Sequence, residues 1–290
     1  MLIDQKLITD NCVLQAGVPL FITGKSTCKN AQLVVSLDDK DIASSVTNAD
    51  GWFYVALPPQ EYDTLNADNH ILLLSVPGLD SITLYNIAFG DVFCYFGQSN
   101  AGKPRVTAVN AKKECPRVRV YRNKWYDSPG RHPLTLANML CNYTGHVVGL
   151  INQSVGGSRI EQWNSTETKN FRRLIDPVAG YPCRFLVWWQ GEGNASSPAG
   201  YGSKLRELIS EIRGCLGDTV PSFVVKIPTG SGPFTPLARK MHEEYVNLPE
   251  QVYVIDTDGL IGGANGHIHP DDFVGYADRI FTSIARNLLI

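Results

Sequence analysis

Apolar and polar positions alternate in short bursts through the first third of the chain. "LFITG" (20–24), "QLVVSL" (32–37), "WFYVALPP" (52–59), "HILLLSVPG" (70–78) and "SITLYNIAFG" (81–90) each read as a strand, with turns at Asp50-Gly51, Pro58-Pro59 and Pro77-Gly78. No helical period of useful length breaks the series, so residues 1–88 are predicted to form a small antiparallel β domain. From about residue 90 the rhythm changes. "DVFCYF" (91–96), "HVVGLI" (146–151), "RFLVWW" (184–189), "SFVVKI" (222–227) and "QVYVID" (251–256) have the continuous apolar character of strands buried on both faces. Between them Leu205, Leu208, Ile209, Ile212 and Leu216 follow a helical spacing, as do Phe273, Tyr276, Ala277 and Ile280. Strand and helix in alternation predict an α/β domain over residues 89–290, a parallel sheet flanked by helices.

In such sheets ligands bind beyond the carboxyl ends of the strands, and the unusual residues of this chain fall there. After "DVFCYF" comes Gly97-Gln98-Ser99-Asn100, and after "HVVGLI" comes "NQSVGGSRIEQW" (152–163) with its Gly156-Gly157 pair. After "RFLVWW" comes Gln190-Gly191-Glu192-Gly193-Asn194, and after "QVYVID" come Thr257, Asp258 and a glycine-rich loop ending in "GHIHPDD" (266–272). Together the strand ends offer a hydroxyl, backbone N–H groups that can approach a ligand closely, side-chain amides and an imidazole. Acyl transfer needs this set: a nucleophile, a group that takes and returns its proton, and donors for the oxyanion. The surroundings of Ser99 are not the G-x-S-x-G elbow, because Ala101 stands two residues after it.

Composition narrows the picture. Lys plus Arg number 26 against 28 Asp plus Glu, and no run of five like charges occurs, which excludes the footprint of a nucleic-acid or anionic-membrane binder. The longest apolar runs, such as Phe185–Trp189, fall far short of the roughly 20 residues a spanning helix needs. Met1 is followed by "LIDQKLITDN" rather than by a basic start and an apolar stretch, so the expectation is no export signal. The protein is then cytoplasmic, or part of a larger extracellular or virion protein. Seven scattered cysteines with no C-x-x-C pair are expected to be reduced and packed in cores.

The blocks taken together resemble the sialate O-acetylesterase and acetyl xylan esterase group of the SGNH hydrolases. "GDVFCYFGQSNAG" is similar to that group's nucleophile block, "VGGSRIEQW" to its second, "VWWQGEGNA" to its third and "IHPDDFVGYADRI" to its last. "DNCVLQAGVPLFITG" and "ADGWFYVALPP" resemble the leading β domain of sialate O-acetylesterases. The resemblance covers nearly the whole chain in order. It implies a three-layer SGNH-type fold, Ser99 as nucleophile and His269 as base, then acid. It also implies an oxyanion hole from the N–H groups of Ser99 and Gly157 (or Gly156), with a side-chain amide from Gln190 or, in reserve, Asn194. No metal or organic cofactor is implied.

Many relatives carry an aspartate three residues before the histidine, and here position 266 is glycine. Asp258, Asp256, a backbone carbonyl, or a dyad without a third member are the alternatives. His267, two residues before His269, is read as structural. The "HIHPDD" run also suits a metal, but no third cluster of ligands is visible elsewhere. Gln98, Arg159, Trp163 and Glu192 are the expected substrate contacts, Glu192 doubling as an orienter of loops. If the substrate is a sialic acid, Arg159 or Arg131 would hold its carboxylate. The implied reaction is removal of an O-acetyl group from a sugar, with O-acetylated sialic acid favoured over acetyl xylan or another polysaccharide. A non-catalytic carbohydrate-binding module of an adhesin or viral tail protein is the alternative from a different class.

Overall fold

The structure, a computed structural model, describes residues 1–102, 115, 117–127, 132–164, 166–228, 235–245, 248–260, 267 and 272–289. The first strands are β1 (Leu2–Ile3), β2 (Val13–Gln15), β3 (Leu20–Lys25), β4 (Gln32–Leu37), β5 (Lys40–Val46), β6 (Trp52–Leu57) and β7 (His70–Val76). β1, β3 and β6 make a three-stranded antiparallel sheet, and β4 pairs antiparallel with β5 and β7. Period-two alternation drives this: Phe53, Val55 and Leu57 of β6 are buried while Trp52 and Tyr54 face outward. The sequence does not mark β5. "KDIASSV" is a half-exposed edge strand whose hairpin turns at Asp38 and Asp39, both at positive φ, rather than at a glycine.

β8 (Asp80–Gly97) runs for 18 residues. Its first half pairs antiparallel with β7, and its second half lies parallel in the main sheet. The two strands predicted at 81–90 and 91–96 are therefore one element, and residues 88 and 89 are consecutive within it. The rest of the chain gives α1 (Ser99–Gly102), β9 (Val118–Tyr121), β10 (Trp125–Asp127), α2 (His132–Thr144), β11 (Val148–Asn152), α3 (Lys169–Val178), β12 (Phe185–Trp189), α4 (Tyr201–Leu216), β13 (Ser222–Val225), α5 (Thr235–Glu244), β14 (Val252–Ile255) and α6 (Phe273–Ile284). The main sheet has the order β10-β9-β11-β8-β12-β13-β14, parallel except for β10. From β8 the chain first builds one side of the sheet and then, from β12, the other. The end of β8 is thus the switch point where such sheets bind ligands.

Two cores cover the two faces. Phe93 and Tyr95 of β8 pack with α2 and α6, while Val92, Cys94 and Phe96 pack with α3 and α4. β12 divides in the same way, Trp188 joining the α3/α4 core and Trp189 the α2/α6 core. The fold is a helix–sheet–helix α/β layer structure behind a small antiparallel β portion. β9 escapes a pattern reading because Arg119 interrupts it; the buried guanidinium donates to the carbonyls of Asn11, Cys12 and Asn86.

One expectation is corrected. Cys115 and Cys141 form a disulfide, so not all seven cysteines are reduced. Their separation of 26 positions hides the pairing in the sequence; the packing of α2 against β9 and β11 brings them together. Among the described residues no helix is long and apolar enough to cross a membrane.

Candidate active site

The site is built on the last residues of β8. Gly97 has φ +135°, and a β-carbon there would lie 1.9 Å from the Trp189 carbonyl oxygen of β12. Only glycine lets the two strand ends close, and the next N–H, of Gln98, then donates to that same carbonyl at 3.0 Å. The chain turns at once into α1, whose first residue is the half-buried Ser99. Asn152 at the end of β11 donates through Nδ2 to the Ala101 carbonyl at 2.9 Å and holds this short helix.

His267 Nε2 lies 3.0 Å from Ser99 Oγ. In the tautomer with Nε2 unprotonated the serine hydroxyl donates to it, the geometry of a base against its nucleophile. This corrects the structural reading of His267. His269 lies outside the described residues, as does Arg131. The Gly156-Gly157 turn is exposed and stands against the nucleophile: a β-carbon on Gly156 would be 4.0 Å from that of Ser99. Gly157 is at φ +70°, and its N–H meets no acceptor among the described residues.

The third block forms a buried frame beneath this surface. Gln190 is fully buried; its Nε2 faces Ser158 O at 2.9 Å, Asn194 Oδ1 at 2.9 Å and Gln98 Oε1 at 3.2 Å, and its Oε1 accepts from the Tyr201 hydroxyl. Asn194 accepts from the Ile160 N–H at 2.8 Å and donates to Glu161. Both amides are committed to joining the loops after β8, β11 and β12. Two expected substrate contacts, Gln98 and Trp163, are corrected by burial, and a third, Glu192, by the direction of its side chain. Gln98 is 4% exposed and accepts from the Gly193 N–H at 2.9 Å. Trp163 is 0% exposed, edge-on to Trp188 and donating to Ser158 Oγ, because the turn before it points its ring under the loop. Glu192 turns its carboxylate inward onto Asn100. Arg159 reaches the surface, its side chain 43% exposed beside Glu161. Asp258 is exposed just past β14, its carbonyl accepting from Arg279. Among the described residues no group of three or more His, Cys, Asp or Glu side chains gathers as a metal site.

A serine at the switch point of a parallel sheet, with an imidazole against it and a glycine turn beside it, makes this an SGNH-type esterase fold. The family described as carbohydrate esterase, sialic acid-specific acetylesterase, matches residues 130–281, just over half of the chain, and the protein belongs to it. It is a carbohydrate esterase. Among solved structures the chain is similar to a carbohydrate acetylesterase from Xanthomonas citri, at 21% identity, over 98% of this chain and 75% of that one, with a TM-score of 0.83. It is also similar to a protein from Arabidopsis thaliana, at 18% identity, over 68% of this chain and 98% of that one, with a TM-score of 0.58. These two likenesses are of fold. No curated protein matches the chain in sequence.

Proposed function

We propose that the protein is a serine esterase that removes O-acetyl groups from a sugar, with O-acetylated sialic acid as its substrate. The observation that carries the mechanism is the 3.0 Å approach of His267 Nε2 to Ser99 Oγ at the end of the central strand. Ser99 attacks the acetyl carbonyl as the histidine takes its proton. The oxyanion is held by the N–H groups of Ser99 and Gly157, while Gln190 and Asn194 fix the loops that carry them. The histidine returns the proton to the leaving sugar hydroxyl, and water then releases acetate from Ser99. Asp258, which leaves β14 ahead of the histidine segment, is our candidate for the group that orients the ring. The family's description and the exposed Arg159, suited to a substrate carboxylate, support the sialic acid.

The test is acetate release from O-acetylated sialic acid, acetyl xylan and p-nitrophenyl acetate by wild type and by Ser99→Ala, His267→Ala, His269→Ala and Asp258→Asn. Ser99→Ala and His267→Ala are expected to lower kcat by about 10³-fold or more. A loss confined to His269→Ala would move the base to that residue, and activity surviving Ser99→Ala would remove the nucleophile. Hydrolysis of acetyl xylan alone would replace the sialic acid as substrate. A protein inert to all three substrates and to a serine-directed phosphonate is a binding module.

A further inference from the structure

Glu192 begins the short turn after β12, and its Oε1 accepts from Asn100 Nδ2 at 2.5 Å. Asn100 follows Ser99 directly, so this bond ties the nucleophile's own turn to the third strand end. Glu192 Oε2 is buried as well. A carboxylate in an aromatic pocket is costly to keep charged, and the proposed reaction gives it no step.

We infer that Glu192 is a positioning residue: ionised, it holds Asn100 and with it Ser99, so that turnover is about fivefold faster once a second group besides the histidine base has lost its proton. The inference rests on Ser99 being the nucleophile. Burial pushes Glu192 up to about 7, against its own backbone N–H, the Asn100 amide and the Trp189 indole, which favour the carboxylate. The groups facing it from the packed elements are Trp189 of β12, Tyr201 of α4, Tyr245 just past α5 and Tyr276 of α6. The three phenols are pushed up, by burial first and by the Glu192 charge among the lesser causes, and stay neutral near pH 7. Of the described carboxyls, Glu192 is the one beside the nucleophile's turn that burial brings to neutrality. Protonating Glu192 turns a charge-assisted hydrogen bond into a weaker neutral one and loosens the nucleophile's turn.

The experiment is the pH profile of p-nitrophenyl acetate hydrolysis from pH 5 to 9 for wild type, Glu192→Gln and Ser99→Ala, with thermal unfolding of each. Log(kcat/KM) for wild type is expected to lose, beyond the histidine's one-proton fall, a further step of about fivefold on the acid side, and Glu192→Gln to follow the one-proton fall alone. At pH 8 Glu192→Gln should lower kcat about fivefold with KM little changed, since a neutral amide replaces the charged acceptor. A one-proton limb in wild type overturns the inference and needs no variant to fold. So does a Glu192→Gln enzyme that keeps the wild-type limb, because a merely structural side chain would leave the profile's shape alone. If Ser99→Ala remains active, the esterase mechanism fails and this inference with it; if Ser99→Ala is dead and the limb is one-proton, only the role of Glu192 fails.

Discussion

Replacing Gly97 by alanine tests the geometry on which the site depends. The added β-carbon would sit 1.9 Å from the Trp189 carbonyl oxygen, where ordinary contact begins at 3.4 Å, so β8 and β12 must part by about 1.5 Å at their ends. The backbone cannot rotate away from the clash, because φ there is +135°, which costs an L side chain about 1–2 kcal/mol. Parting the strands removes the Gln98 N–H to Trp189 O bond, about 1 kcal/mol. The forced repacking adds about 1–3 kcal/mol. The total, about 3–6 kcal/mol, is a large share of the roughly 5–15 kcal/mol that a domain has. Urea unfolding followed by tryptophan fluorescence should show it as a lowered midpoint with unchanged slope. Whatever fraction folds should have lost about 10²-fold in kcat, because Ser99 sits two residues from a displacement of more than an ångström. A variant within about 1 kcal/mol of wild type and fully active would refute the close approach.

His70 bonds Asp38 and Asp63, and Asp63 first, then Asp38, raises it from 6.5 to about 9. A raised histidine stabilises the fold fully below about pH 6.5 and ceases to do so as pH passes 9, so thermal stability should fall by at most about 3 kcal/mol across that window in wild type. In His70→Gln the fall should vanish, and an equal fall there would count against the clamp. Peptide mapping without reductant should link Cys115 to Cys141 and leave the other five cysteines open to alkylation once the chain is unfolded. In the native protein Cys12, pushed by burial up to about 12, and Cys94, raised by burial, should react last. Early labelling of either would contradict their burial.

The strands with a clean period are legible from the residues alone: β3, β4, β6 and the continuous apolar runs of β8 and β12 fall where the pattern puts them. The sequence cannot show that two predicted strands are one, since residues 80–97 change from a one-sided to a two-sided burial without a break in extended backbone. Ser99 and the glycine turn are legible because each follows directly on a strand. The roles of Gln98, Trp163, Gln190 and Glu192 are not, because a polar or aromatic residue at a strand end can face the substrate or the frame beneath it, and only the turn geometry decides. For Glu192 the available signal is its neighbourhood of aromatic residues, Trp188, Trp189 and Tyr201, which favours a carboxyl turned inward. His267 illustrates the same limit: nothing in its sequence surroundings shows that its Nε2 stands against Ser99 Oγ.

The continuity of β8 bears on how the protein is made and how it melts. Trp125 Nε1 donates to the Leu7 carbonyl at 2.7 Å, Arg119 to that of Cys12 at 3.2 Å and the Tyr181 hydroxyl to that of Val13, and Gln15 accepts from the Val92 N–H at 2.8 Å. Each is a donor from the catalytic half that finds its acceptor among the first fifteen residues. Severing the chain ahead of β8's parallel half would orphan all four at about 1–3 kcal/mol apiece, comparable to the whole stability of a domain. The leading strands, made ahead of their partners, therefore have to wait for them, and the two halves are expected to melt as one cooperative unit, a single transition in calorimetry.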